Sequence, residues 1–176
     1  MQILIDADGC PVTDIAVSLA KPVVIRYPRG GTNSAPAPVE FQHGKAVVRK
    51  DAGSSSPVIW ASGAEVGTAM RVADILNSYG IECRVFDARF LKPFDSEKAL
   101  QNAHCRHFVI EDHVIYSGLA SALCEAFDNV AHAPVTAFGW SSDKIVPHGK
   151  ISSLRHYSGL NAEQIAEKIR NICKNI

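Results

Sequence analysis

The sequence predicts an α/β fold of three layers, a mostly parallel sheet with helices on both faces, preceded by a short N-terminal β-α-β piece. Two observations predict it. Short apolar runs of strand type alternate with segments of helical periodicity, and the turns that join them are short. Alternation of this kind builds crossover connections, whose helices land on the faces of a parallel sheet and bury it on both sides.

Taken in order, Ile3 to Ile5 and Val23 to Arg26 form two apolar runs around a helix-like stretch at 12–20, a unit too small to bury its own surface. Residues 30–38, Gly-Gly-Thr-Asn-Ser-Ala-Pro-Ala-Pro, are rich in turn formers and mark the strongest domain boundary. Strands at 39–42 and 46–49, separated by His43-Gly44-Lys45, read as a hairpin, and 54–56 is a serine loop. A buried strand follows at 57–60. Ser62 as N-cap and Glu65 three positions later form a capping box for a helix over 64–79. Its Val66, Met70, Ala73 and Leu76 share a face that Val72 and Ile75 widen, and Gly80 stops it. Next come a strand at 81–86, a helix at 95–102 capped by Asp95 and a strand at 107–111. A helix at 118–127 packs Leu119, Ala122, Leu123 and Ala126, and a strand at 135–138 follows. Asn161 and Gln164 open a last helix with Ile165, Ile169 and Ile172 facing inward.

The 176 residues suit one medium domain, or one domain with an appended piece. Basic and acidic residues balance at 18 each, which argues against a dedicated nucleic-acid binder. No apolar segment reaches the roughly 18–20 residues that span a bilayer, and Asp6 and Asp8 stand where a secretory signal needs a basic start. The five cysteines are widely spaced and lack a C-x-x-C pair, as reduced thiols do, so the expected location is cytoplasmic. His104-Cys105-Arg106-His107 offers metal ligands by composition. No second cluster completes a tetrahedral set, so no metal site is assigned.

Residues 81–94 carry the strongest functional signal. Their strand ends in Asp87 and is followed by Arg89 and a Lys92-Pro93 turn. An arginine at the carboxyl end of a strand sits where open α/β sheets meet anionic ligands. A surface arginine braced by Asp87 is the plainer alternative. Glu111-Asp112-His113 follows the next strand; two carboxylates beside a histidine can shift one pKa, so a general acid/base reading stands beside a structural one. His148, set between Pro147 and Gly149, reads as a loop anchor.

Five motifs occur together and in order: PVVIRYPRG at 22–30, VFDARFLKPFD at 85–95, FVIEDHVIYSGLASA at 108–122, VPHG at 146–149 and LNAEQIAEKI at 160–169. From about Ala20 onward the chain resembles the C-terminal end of the 1-deoxy-D-xylulose-5-phosphate synthase family, thiamine-diphosphate-dependent enzymes of the transketolase group. The resemblance implies a transketolase C-terminal-like domain over 45–176 and a linker over 31–44. Residues 1–30 would hold the remnant of the pyrimidine-binding domain, its last strand and exit. The reaction implied for the intact enzyme condenses pyruvate with glyceraldehyde 3-phosphate, releases carbon dioxide and forms 1-deoxyxylulose 5-phosphate, a step of isoprenoid biosynthesis.

The resemblance also implies thiamine diphosphate and magnesium in the intact enzyme, a homodimer, and the cofactor-bearing domains as partners. This sequence has no Gly-Asp-Gly with a downstream Asn, and nothing matches the pyrimidine domain's catalytic glutamate. No cofactor and no catalytic residue are therefore assigned to it, and the isolated chain is expected to be inactive. What remains for it is the substrate phosphate. The resemblance points to Arg29 and Arg89, supported by Arg26 and Tyr27, because guanidinium groups offer a phosphate ester planar, permanently charged, bidentate donors. Glu111, His113 and His148 fall at positions that look structural, the first two at a subunit and domain contact. The segment after Glu111-Asp112-His113 is glycine-rich in the family and here reads Tyr116-Ser117-Gly118-Leu119-Ala120, which weakens the expectation of a tight backbone approach there. The alternative is a stand-alone interaction module that docks on separate catalytic domains.

The opening, MQILIDADGCPVTD at 1–14, departs from the synthase pattern and resembles the start of YaiI/YqxD-type proteins, whose first strand ends in a Val/Ile-Asp-Ala-Asp-x-Cys-Pro motif. Paired aspartates at a strand end hold divalent metals in nuclease-like folds, which makes Asp6 and Asp8 the ligands of a third, metal-dependent reading. Either a short foreign start is joined to a synthase tail, or residues 3–5 replace a strand of the pyrimidine domain.

Overall fold

The computed structural model describes residues 42–174. The expected β-α-β piece, most of the linker, and Asp6, Asp8, Arg26, Tyr27 and Arg29 lie outside the described residues. Within them five strands form one sheet: β1 (Val47–Lys50), β2 (Val58–Ala61), β3 (Arg84–Asp87), β4 (His107–Val114) and β5 (Val135–Trp140). The helices are α1 (Glu65–Ser78), α2 (Ser96–Gln101), α3 (Leu119–Ala126), α4 (Ile151–Tyr157) and α5 (Ala162–Lys174). Strand order is β1-β3-β2-β4-β5, parallel throughout except for β1, which runs antiparallel to β3.

Period-two alternation along the central strands divides the core in two. Ile59 and Ala61 of β2, Val85 of β3 and Phe108 and Ile110 of β4 face α1 and α5, where they meet Val66, Ala69, Ala73, Ile165 and Ile169. Val58 and Trp60, Phe86, and Val109 face the other way, onto Ala99, Leu119, Leu123 and Phe127 of the α2–α3 side. All four residues of β2 are fully buried, which is the signature of a strand covered on both faces.

Helix ends explain where the expected elements shift. Ile81 donates its amide to Leu76 O and Gly80 donates to Asn77 O, a Schellman cap closed by Gly80 at φ +77. Ile81 is thereby spent on terminating α1, and the strand expected at 81–86 begins only at Arg84. Asp95 caps α2 by accepting from Lys98 N at 3.1 Å, and its second oxygen accepts from Ala46 N at 2.9 Å, tying the approach to β1 to this helix. Asn161 Oδ1 accepts from Gln164 N at 2.8 Å and opens α5.

Three expectations need correction. Gln42 is not in a strand, the rest of the first expected hairpin arm lies outside the described residues, and β1 pairs with β3. The capping box at Ser62 does not form: Ala64 occupies the N-cap with helical backbone angles, and Ser62 contributes only its carbonyl, to Glu65 N. Helix α4 has no counterpart among the expected elements, because Ile151 and Leu154 alone give too thin an apolar stripe over seven residues.

In the histidine–cysteine segment His104 Nε2 and Cys105 Sγ both lie against Ser54 O, and His107 turns into the core. His107 is fully buried, and its Nδ1 accepts from Trp60 Nε1 at 3.2 Å. Cys105 Sγ lies 3.2 Å from Ser54 O and 3.1 Å from Arg84 Nη2, which also donates to Ser54 O. Burial pushes the His107 pKa down to about 4, and the neighbouring His132, Arg84 and His104 add to the effect. Protonation would place an N–H on Nδ1 against the Trp60 N–H and break their bond. Because the folded value lies below the unfolded value near 6.5, the unfolded chain takes up the proton first, and stability falls as pH drops through 6.5 toward 4. The expected loss is about 2 kcal/mol by pH 5 and about 3 kcal/mol by pH 4, and urea midpoints across this range should record it. His107→Gln should flatten the dependence above pH 5.

Candidate functional site

The register of the parallel strands brings their carboxyl ends to one edge: Ala61 of β2 pairs with Asp87 of β3 and with Ile110 of β4. Ligands of open α/β sheets collect at this edge. Arg89 stands two residues beyond β3 with its backbone in the left-handed region, at φ +59. Asp87 is buried, accepts a hydrogen bond from the Arg89 backbone and forms an ion pair with the Arg89 side chain. Its Oδ1 accepts from Arg89 N at 3.2 Å, and its Oδ2 lies 3.4 Å from Arg89 Nε. A side chain with Cβ in this backbone region costs on the order of 1 kcal/mol, which the Asp87 contacts offset. Beyond Arg89 an open groove of about 520 Å³ runs between the 91–96 turn and α3, lined by Leu91, Lys92, Phe94, Ser96, Ser117 and Ser121.

Glu111 ends the buried part of β4 and turns into the start of α3. Its Oε2 accepts from Leu119 N at 2.7 Å and its Oε1 from Ala120 N at 3.3 Å, so the carboxylate satisfies two free amides at a helix N-terminus. A Cβ at position 118 would lie 2.0 Å from Glu111 Oε2, so any side chain here would push the carboxylate off the α3 amides. The single glycine of this segment therefore does sustain a tight approach, contrary to the sequence expectation. With both oxygens engaged, Glu111 is placed for capping rather than proton transfer. His113 is exposed, its Nδ1 2.8 Å from Val114 O, and His148 is exposed on the 141–150 loop.

Sequence reasoning missed the group that organises this edge. Arg155 of α4 donates Nη1 to Glu65 Oε2 at 2.9 Å and Nη2 to Glu65 Oε1, and Nη2 also lies 3.4 Å from Asp112 Oδ1. Trp140 Nε1 donates to the same Asp112 oxygen at 2.8 Å. One guanidinium thus joins the first turn of α1, the end of β4, the end of β5 and α4. Glu65 has the spacing of a capping box, yet it is the buried partner of an arginine 90 positions away. A helical i, i+4 pair is visible in a sequence, whereas a pair closed only by the tertiary fold is not.

The family model for the transketolase C-terminal domain matches residues 44–165. The chain belongs to the transketolase C-terminal domain family. It is 34% identical over 160 residues to the 1-deoxy-D-xylulose-5-phosphate synthase of Clostridium acetobutylicum, covering 88% of this chain and 25% of that protein. It is 36% identical to 1-deoxy-D-xylulose-5-phosphate synthase 2 of Geobacter sulfurreducens, covering 86% of this chain and 25% of that one. The chain thus spans about a quarter of the length of the curated relatives it matches. Among solved structures, a split-gene transketolase described as an inactive β4 tetramer superposes with a TM-score of 0.73 at 26% identity, over 81% of this chain and 47% of that one. The transketolase of Campylobacter jejuni shares the fold, with a TM-score of 0.58 at 16% identity over 77% of this chain and 20% of its own length.

As a transketolase C-terminal domain, the described part of this chain does not fit a magnesium–diphosphate group. Among the described residues no three His, Cys, Asp or Glu side chains converge on one point, and the buried carboxylates Glu65, Asp87, Asp95 and Glu111 all hold contacts within the fold. Also among the described residues, no helix is long and apolar enough to cross a membrane.

The Arg155 clamp makes a direct prediction. Arg155→Ala leaves Glu65 buried and unpaired, and should lower stability by about 3 kcal/mol in urea unfolding. The double variant E65M/R155M removes both charges and should recover most of that loss.

Proposed function

We propose that this chain is the C-terminal module of a 1-deoxy-D-xylulose-5-phosphate synthase. The thiamine diphosphate and magnesium of the intact enzyme would sit on its other domains, and this module would dock beside them in the cytoplasm as part of a homodimer. Its own contribution is to the phosphate of glyceraldehyde 3-phosphate, through Arg89 and, from the segment outside the described residues, Arg29 with Arg26 and Tyr27. In this reading residues 45–176 are the domain, 31–44 the linker and 1–30 the end of the preceding domain; the family match over 44–165 supports the first boundary. Glu111 and His113 would stand at the docking edge, near the subunit contact, with Glu111 shaping it through its hold on α3.

The observation that carries the reading is the placement of Arg89. It lies at the carboxyl end of β3, in a fixed backbone conformation, inside the DARFLKPFD segment that the chain shares in pattern with the synthases. An always-charged planar donor at that edge suits a phosphate ester, and no proton has to move at this residue for it to act. Its part in the reaction is to bind and orient the acceptor so that the reacting carbon meets chemistry supplied from elsewhere.

A second reading is a separately encoded subunit that assembles with catalytic domains on another chain. The split-gene transketolase among the structural relatives favours it, since there a transketolase is divided between genes.

Both readings meet in one experiment. A synthase truncated before its Tyr-Pro-Arg segment is mixed with this chain, and pyruvate-dependent consumption of glyceraldehyde 3-phosphate is followed. Turnover should return, while the chain alone stays inactive. Arg89→Ala should then lower kcat/KM by about a hundredfold, roughly 2.7 kcal/mol of transition-state binding. Carboligation by the chain alone would refute the module assignment.

A further inference from the structure

The structure assigns Asp87 as the positioning residue of the phosphate site, an inference that rests on the proposed role of Arg89. Asp87 ends β3, bonded on either side to the sheet: it pairs with Val47 of β1 and with Ala61 of β2. Ala88 N donates to Ala61 O at 2.8 Å, so the chain leaving the strand is still held by β2. From this anchored position one carboxylate accepts from Arg89 N–H and forms a 3.4 Å ion pair with its Nε.

The two contacts do different work. The bond to the backbone N–H keeps Arg89 in the left-handed region, and this sets the direction in which the side chain leaves the chain. The ion pair at Nε, 3.4 Å long and without a hydrogen bond, draws the guanidinium toward the strand side by charge alone. An arginine whose backbone is fixed and whose side chain is biased by a neighbouring charge has less freedom left to lose, and ordering it in advance lowers that cost of binding. Asp87 does not need to touch the phosphate. A second carboxylate at ligand distance would repel the anion, whereas here the negative charge sits behind the guanidinium, on the strand side.

The test is a titration of the full chain with inorganic phosphate, followed through the arginine Nε–H resonances in two-dimensional NMR. Wild type should saturate, with the Arg89 resonance among those that move, and R89A should lose that binding. D87A should weaken phosphate binding by about tenfold. D87N should weaken it by only about threefold, because its amide oxygen still accepts from Arg89 N–H while the charge at Nε is gone. The double variant D87A/R89A should match R89A alone, as expected when one residue acts through the other. Circular dichroism checks that each variant is folded, and D87N carries the test if D87A does not fold. A merely structural Asp87 would lower Tm and leave phosphate affinity unchanged in D87N and in folded D87A; that result overturns the inference and leaves Arg89 its role. Unchanged affinity in R89A, or no saturable binding by wild type, overturns the Arg89 reading and the inference with it.

Discussion

The carboxyl edge of this domain depends on the parallel register of β2, β3 and β4. Val58 pairs with Arg84 on one side and His107 on the other, so three strands start level, and β4 runs on to Val114 past the ends of β2 and β3. Slipping any of them by one residue would turn its apolar set from one helical layer to the other, and both layers are packed. Burial therefore fixes the register, and the register puts Asp87, Glu111 and the start of α1 side by side. Chemistry at the edge is inherited from packing in the middle.

Charge is then distributed by the same scaffold. Among the described residues four buried carboxylates each find a distinct partner: Glu65 an arginine, Glu111 two helix amides, Asp95 the amides of Lys98 and Ala46, and Asp87 the backbone and side chain of Arg89. Three of them shape the carboxyl edge and one fastens β1. Burying a carboxylate without such partners costs several kcal/mol, so each is evidence of a geometry the fold maintains. The proposed phosphate role of Arg89 draws on one of these pairings, that with Asp87.

What the sequence made legible follows from how local each signal is. Fully buried strands such as 57–60, the apolar face of α1, the Gly80 stop and the Asp95 cap are written in neighbouring residues, and they lie where expected within a residue or two. Signals closed over long distances do not read correctly. Glu65 satisfies the spacing of a capping box and is claimed instead by Arg155. Strand β1 has a turn before it that suits a hairpin, and nothing local announces its pairing with β3. Gly118 looks like the remnant of a glycine-rich segment, and its necessity becomes visible only when Glu111 is seen folded over it. Arg89 is legible as a strand-end arginine, and its brace by Asp87 as the plainer alternative; its left-handed backbone is not.

The central claim is that the carboxyl edge of the sheet is where this module meets the rest of a synthase. Hydrogen exchange measured on the chain alone and then with the cofactor-bearing domains of a synthase tests it most directly. The account predicts added protection at 87–94 and 111–118 and none at the opposite edge, around 53–56 and 102–106. Protection confined to that opposite edge, or none at either with the domains in excess, would contradict it.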